Sequence, residues 1–188
     1  CAIVLAFLSL EISDFRTVDG LIRAVLSVSE SDVVIQAAST VLYNVSCGED
    51  ALMLLEDGLM HINIMIHMMR SGNTLVQENI AHTMRNLCIH PKCIQLLLKH
   101  DLLSDFIVIA LLRTNSNTVK KTCSESFYNM LCHRDCRQKL LEGDLWWALM
   151  RLSKSDLESV KVVCARALFN LASSSEHISA LRHNHVFA

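Results

Sequence analysis

The chain has 188 residues, 52% of them apolar and 19% charged, with five glycines, one proline and a formal net charge of −2. So much apolar side chain with so little net charge excludes intrinsic disorder, and the missing basic excess excludes a surface built to neutralise nucleic-acid phosphates. Five glycines and one proline supply too few turns for an all-β sandwich, which leaves helices as the main element.

The opening run Ala2 to Leu8 is uniformly apolar, and Glu11 and Asp14 stop it far short of a membrane span. It lacks a basic leader and a small-residue cleavage site, so it does not read as a secretory signal. Asp19 then precedes a short apolar helix beginning Gly20-Leu-Ile, which ends at the polar turn Ser29-Glu-Ser-Asp32. A longer helix follows, carrying AASTVLYNV from Ala37 to Val45. The same order returns three times. Asp57, Asp101 and Asp144 are the matching N-caps, because a carboxylate accepts from the free N–H groups of a first turn and complements the helix dipole. The turns Arg70-Ser-Gly-Asn73, Thr114-Asn-Ser-Asn117 and Ser153-Lys-Ser-Asp156 close the short helices. The long helices then carry NIAHTMRNL (79–87), TCSESFYNM (122–130) and VCARALFNL (163–171), and a linking helix such as Cys93 to His100 completes a unit.

One residue sets the register of these copies. Asn44, Asn86, Asn129 and Asn170 are spaced by 42, 43 and 41 residues. Large apolar side chains precede each by two places (Leu42, Met84, Phe127, Leu168) and follow it directly (Val45, Leu87, Met130, Leu171). Ala38, Cys123 and Cys164 fill a small slot six places before. Three helices repeated at this period describe a solenoid, in which each unit buries its apolar face only against its neighbours. Ala-Leu-Phe-Asn-Leu-Ala (Ala167 to Ala172) and Met-Arg-Asn-Leu-Cys (Met84 to Cys88) resemble the third-helix pattern of armadillo repeats. Asp57-Gly-Leu-Met60 resembles the start of that family's second helix, although Leu102 lacks the glycine and Leu145 lacks it in register.

The resemblance spans nearly the whole chain and implies an all-α fold, a right-handed α-solenoid of about four armadillo repeats with three helices each, truncated at both ends. The expected units are 19–56, 57–100, 101–143 and 144–185, with 1–18 closing a preceding repeat and 186–188 opening a further one. Ser9 stands where later copies carry Asn, and the uncapped apolar ends point to a longer parent protein.

In armadillo proteins the third helices line a concave groove, so the resemblance implies a groove here. Helical spacing places the Asn, the residue before it and the residue four before it on one face. The candidate groove residues are therefore Thr40, Tyr43 and Asn44; His82, Arg85 and Asn86; Glu125, Tyr128 and Asn129; and Arg166, Phe169 and Asn170. A ladder of carboxamides offers donors and acceptors to an extended peptide backbone, or it ties adjoining repeats together. The sequence leaves both open. Importin-α-type armadillo proteins carry Trp four places before the Asn, where this chain has Thr40, His82, Glu125 and Arg166, and the face is not strongly basic as in β-catenin-type proteins. Its mixture of aromatic and polar groups suits a protein partner of unremarkable charge. The expectation is a non-catalytic protein–protein scaffold or adaptor, with no nucleic acid, membrane insertion or cofactor. Family analogy supplies an alternative: an architectural subunit of a cytoskeletal or ciliary assembly, meeting neighbouring subunits through convex faces and ends.

Cys88-Ile-His-Pro-Lys-Cys93 and Cys132-His-Arg-Asp-Cys136 invite a zinc reading. Yet Cys93 and Cys136 each lie seven places after an Asn, in a slot that holds Ala51 and His177 elsewhere, which points to packing and not to a metal. Eight irregularly spaced cysteines fit a reducing, cytoplasmic interior better than a disulfide framework. Neither a phosphate-cradling glycine loop nor a nucleophile elbow is present, and His133-Arg134-Asp135 resembles a kinase catalytic loop without the other kinase parts. No catalytic residue is assigned. Trp146 and Trp147 point about 100° apart on a helix, so one is expected in the core and one near the surface. The run Met65 to Met69 reads as adaptable core filling, and Lys120-Lys121 as a solvated pair.

Overall fold

The structure, a computed structural model, describes residues 20, 31–56, 59–99, 114–134, 136–137, 145–173 and 178. The expected caps Asp19, Asp57, Asp101 and Asp144 lie outside them, as do the apolar opening run, the short helix after Asp101 and the segment from 179 onward. The described residues are all-helical and without strands. In chain order they form α1 (Asp32–Ser46), a 3₁₀ turn (Glu49–Leu52), α2 (Met53–Glu56), α3 (Leu59–Met69), α4 (Thr74–Leu87), α5 (Pro91–Lys99), α6 (Asn117–Leu131), α7 (Leu145–Ser153) and α8 (Glu158–Ala172).

Local chemistry sets the ends. Asn73 caps α4 by accepting from the backbone N–H groups of Leu75 and Val76, and Ser116 caps α6 by accepting from Val119. Leu157 takes that place before α8 and has no cap to offer, so Ser155 Oγ accepts from the Leu157 N–H instead, at 3.3 Å. Pro91, the single proline, opens α5 at the one helical position where a missing N–H costs nothing.

The long helices α1, α4, α6 and α8 stack in sequence, each packed on the next, with α3 against α4 and α7 against α8. One continuous apolar cluster runs through all of them, from Ala38 to Leu171. The register residues build it: Leu42, Met84 and Phe127 are fully buried, and Leu168 packs half-buried against its edge. Burying each such side chain stabilises by about 1.5–3 kcal/mol before the entropy of ordering is set against it. Ala38, Cys123 and Cys164 are buried where neighbouring long helices approach. Ala51, Cys93 and Cys136 are buried in the linker slot that they share by register. Met65, Met68 and Met69 are core. Trp147 is 63% exposed, and the side chain of Trp146 lies outside the described residues.

The thiols divide by burial. Desolvation pushes Cys123 up to about 12 and Cys93 and Cys164 each up to about 11, and it raises Cys88 as well. Cys47 and Cys132 are exposed. Iodoacetamide at mildly alkaline pH should therefore modify Cys47 and Cys132 first, leaving Cys88, Cys93, Cys123 and Cys164 unmodified until denaturant is added; peptide mass spectrometry reads the order. Because folding raises the pKa values of Cys93, Cys123 and Cys164, the associated stability is whole below the unfolded thiol pKa near 9 and is lost as pH rises through about 11–12.

Candidate partner-binding face

Stacking at a near-constant period sets equivalent positions of α1, α4, α6 and α8 side by side. The residues predicted for one face do lie at the surface side of the stack. Thr40, Tyr43, Asn44, His82, Arg85, Asn86, Glu125, Tyr128, Asn129 and Asn170 are half-buried, and Arg166 and Phe169 are exposed.

A rule not visible in the sequence joins them across helices. At two of the three junctions, the residue before the Asn in one long helix meets the residue four before the Asn in the next. At the first junction the Tyr43 and His82 rings lie 5.7 Å apart, tilted by 50°. At the second, Arg85 Nη1 lies 3.3 Å from Glu125 Oε2. Lys121 adds a looser contact to Glu125 at 4.0 Å, and Arg85 Nη2 also donates to Asn86 Oδ1 at 3.3 Å. The acidic member of the face is thus neutralised from both sides.

The carboxamides differ among themselves. Asn86 Nδ2 donates to Ser46 Oγ at 3.1 Å and to Cys47 Sγ at 3.3 Å, fastening α4 to the end of α1. Asn170 Nδ2 reaches Cys132 Sγ at 3.7 Å, the same tie between α8 and α6. The positions that match Ser46 and Cys47 for Asn129 are Cys88, a buried thiol that takes no hydrogen bond from it, and Ile89, an alkyl group that cannot accept. Among the described residues the Asn129 side chain makes no hydrogen bond. The tying role is therefore observed at Asn86 and Asn170, whereas the Asn129 carboxamide is not spent on a neighbouring helix among the described residues.

Further ties run along the helix starts. Asn73 Nδ2 donates to Gln36 Oε1 at 3.5 Å, and Ser116 Oγ donates to Glu78 Oε1 at 2.7 Å, so each capping residue also grips the preceding long helix. Asn79 Nδ2 reaches Ser39 Oγ and Thr40 Oγ1 at 3.0 and 3.1 Å. Arg137 closes the other end of α6, donating to the carbonyls of Leu131 at 2.8 Å and Cys132 at 3.4 Å, and to Ser173 Oγ at 3.4 Å. Sequence reasoning missed Arg137. Its signal was a cation just past a helix C-terminus, where free carbonyls gather.

His82 is held neutral. Burial lowers its pKa from 6.5, Arg85 lowers it further, and Glu125 and Glu78 oppose the shift. Its Nδ1 is buried without a hydrogen-bond partner among the described residues, so protonation would place a charge with nothing to receive it. A depressed histidine pKa gives stability that is whole above pH 6.5 and falls as pH drops toward the lowered value.

No group of three or more His, Cys, Asp or Glu among the described residues is placed to hold a metal ion, and no described helix is long and apolar enough to cross a membrane.

No protein-family model and no curated protein matches the sequence. Solved structures do match the fold. Computationally designed armadillo repeat proteins for modular peptide recognition superpose with a TM-score of 0.75 at 21% identity, covering 99% of this chain and 81% of that one. A designed armadillo repeat protein in complex with the peptide (KR)4 matches with a TM-score of 0.70 at 19% identity, over 95% of this chain and 85% of the other. An engineered protein matches with a TM-score of 0.75 at 19% identity, over 99% and 79%. The chain has the armadillo-like repeat fold, an α-solenoid.

Proposed function

We propose that this chain is a non-catalytic protein-binding scaffold, which receives an extended segment of a partner along the face formed by α1, α4, α6 and α8. The observation that carries this reading is the row of half-exposed aromatic and hydrogen-bonding side chains held in register by inter-helix ties. Tyr43, Asn44, His82, Arg85, Asn86, Glu125, Tyr128, Asn129, Arg166, Phe169 and Asn170 form the row. A stacked solenoid offers them with little conformational entropy left to lose, so the cost of binding falls on the partner segment. Structural neighbours named for peptide recognition support the same use of the fold. Repeat boundaries at 19–56, 57–100, 101–143 and 144–185 are part of this proposal.

The two classes of Asn give a test. Linear peptides selected on the protein from a phage-displayed random library should lose about five- to tenfold in affinity on Asn129→Ala, with helicity and melting unchanged. Asn86→Ala should instead cost about 1 kcal/mol of stability, because it removes a tie between α4 and α1. Fluorescence anisotropy and urea unfolding separate the two. If no peptide is enriched over a bare support, or if Asn129→Ala leaves affinity intact, this face is not the binding surface.

A further inference from the structure

Resting on that reading, we infer that the α6–α8 junction selects an acidic residue of the bound segment. By composition the face carries a small positive excess, since Arg85, Lys121 and Arg166 stand against Glu78 and Glu125. The side-chain pairing decides which cation carries that excess unpaired. Glu125 is taken up by Arg85 at 3.3 Å and Lys121 at 4.0 Å, and Glu78 accepts from Ser116. Arg166 is exposed, and the register that pairs Tyr43 with His82 and Arg85 with Glu125 assigns it Tyr128 as its counterpart. Tyr128 carries no charge. Among the described residues the Arg166 guanidinium makes no ion pair or hydrogen bond, and neither does the Tyr128 hydroxyl nor the Asn129 carboxamide.

Phe169, 74% exposed and three places after Arg166, completes the patch with an open aromatic ring. A guanidinium without a counter-charge accepts a carboxylate through two parallel N–H donors. Beside it stand a free carboxamide for the backbone and an aromatic surface for an apolar side chain. The first and second junctions have spent the same positions on each other. The chemistry that fits is an extended peptide with an Asp or Glu at Arg166 and an apolar residue against Phe169, because side chains on one side of an extended chain fall at every second residue.

The same phage selection reads this. Peptides recovered on the unaltered protein should be enriched in Asp and Glu over the starting library. They should bind Arg166→Glu about tenfold more weakly, and fresh selection on Arg166→Glu should turn the enrichment toward Lys and Arg. Arg166 is exposed, so circular dichroism of the variant should match the parent. Phe169→Ala should weaken the same peptides without altering their charge preference. Recovery of Lys- and Arg-rich peptides on the unaltered protein overturns the inference. Charge-neutral peptides that are lost on Asn129→Ala but not on Arg166→Glu overturn it too, and leave the groove reading standing. An empty selection overturns both.

Discussion

Phe127→Ala should lower the stability of the fold by about 3–5 kcal/mol, the largest effect expected of any single truncation described here. The phenyl group sits two places before Asn129, on the side of α6 turned away from the proposed binding face, and is 1% exposed. It is the bulkiest of the fully buried side chains among the described residues, and α6 packs against both α4 and α8. Removing it opens a cavity that the flanking backbones cannot collapse into, because each is tied to the next by hydrogen bonds at its ends: Ser116 to Glu78 on one side, Arg137 to Ser173 on the other. In a solenoid, stability is close to a sum of unit and interface terms, so the loss should weaken both junctions of α6 at once. Urea unfolding followed by circular dichroism measures it. Tyr128→Ala, one residue away on the half-buried face, is the control and should cost far less. Equal losses for the two variants would mean that the register of α6 is wrong.

Gln77→Ala comes second, at about 2–3 kcal/mol. Gln77 is 8% exposed and works in three directions. Its Nε2 donates to the Ser71 carbonyl at 2.8 Å and the Met69 carbonyl at 3.4 Å, closing the turn between α3 and α4. Its Oε1 accepts from Thr114 Oγ1 at 3.1 Å, and Thr114 Oγ1 in turn accepts from the Ser116 N–H at 3.0 Å. Thr114 is 6% exposed, so no water is at hand to replace the lost partner. Thr114→Val should cost less alone, and the double variant should cost less than the two losses together, because the second change removes a hydroxyl already orphaned by the first. Additive losses in that double-mutant cycle would show that the two side chains do not act through each other.

The helices were legible because their cause is local. Alternation of polar turns and apolar runs marks the ends of α3, α4, α6 and α7, and Asn73 and Ser116 stand at turns that the sequence marks out. The core was legible for the same reason. Leu42, Met84 and Phe127 share one offset from the Asn, and an offset fixed along a helix fixes the side of the helix. The shared linker slot of Ala51, Cys93 and Cys136 was readable as packing once the repeat was in hand.

The polar ties were not legible, and the difference is physical. Periodicity tells which side a residue faces, but a hydrogen bond needs a donor and an acceptor within about 3 Å and in line. Arg85 and Glu125, Asn86 and Cys47, and Thr114 and Gln77 each come from different repeats, and only the stacking of α1, α4, α6 and α8 brings them together. The ladder of Asn residues looks uniform in sequence. It divides in space because Ser46 and Cys47 accept from Asn86, whereas Cys88, buried, and Ile89, an alkyl group, take nothing from Asn129 at the matching positions. The sequence by itself determined that helical triplets stack on a shared core, since burial depends on spacing within each helix. Only the tertiary structure decided which polar groups are spent on the fold and which, as at Tyr128, Asn129 and Arg166, make no side-chain hydrogen bond or ion pair among the described residues, since that depends on what the neighbouring repeat places opposite them.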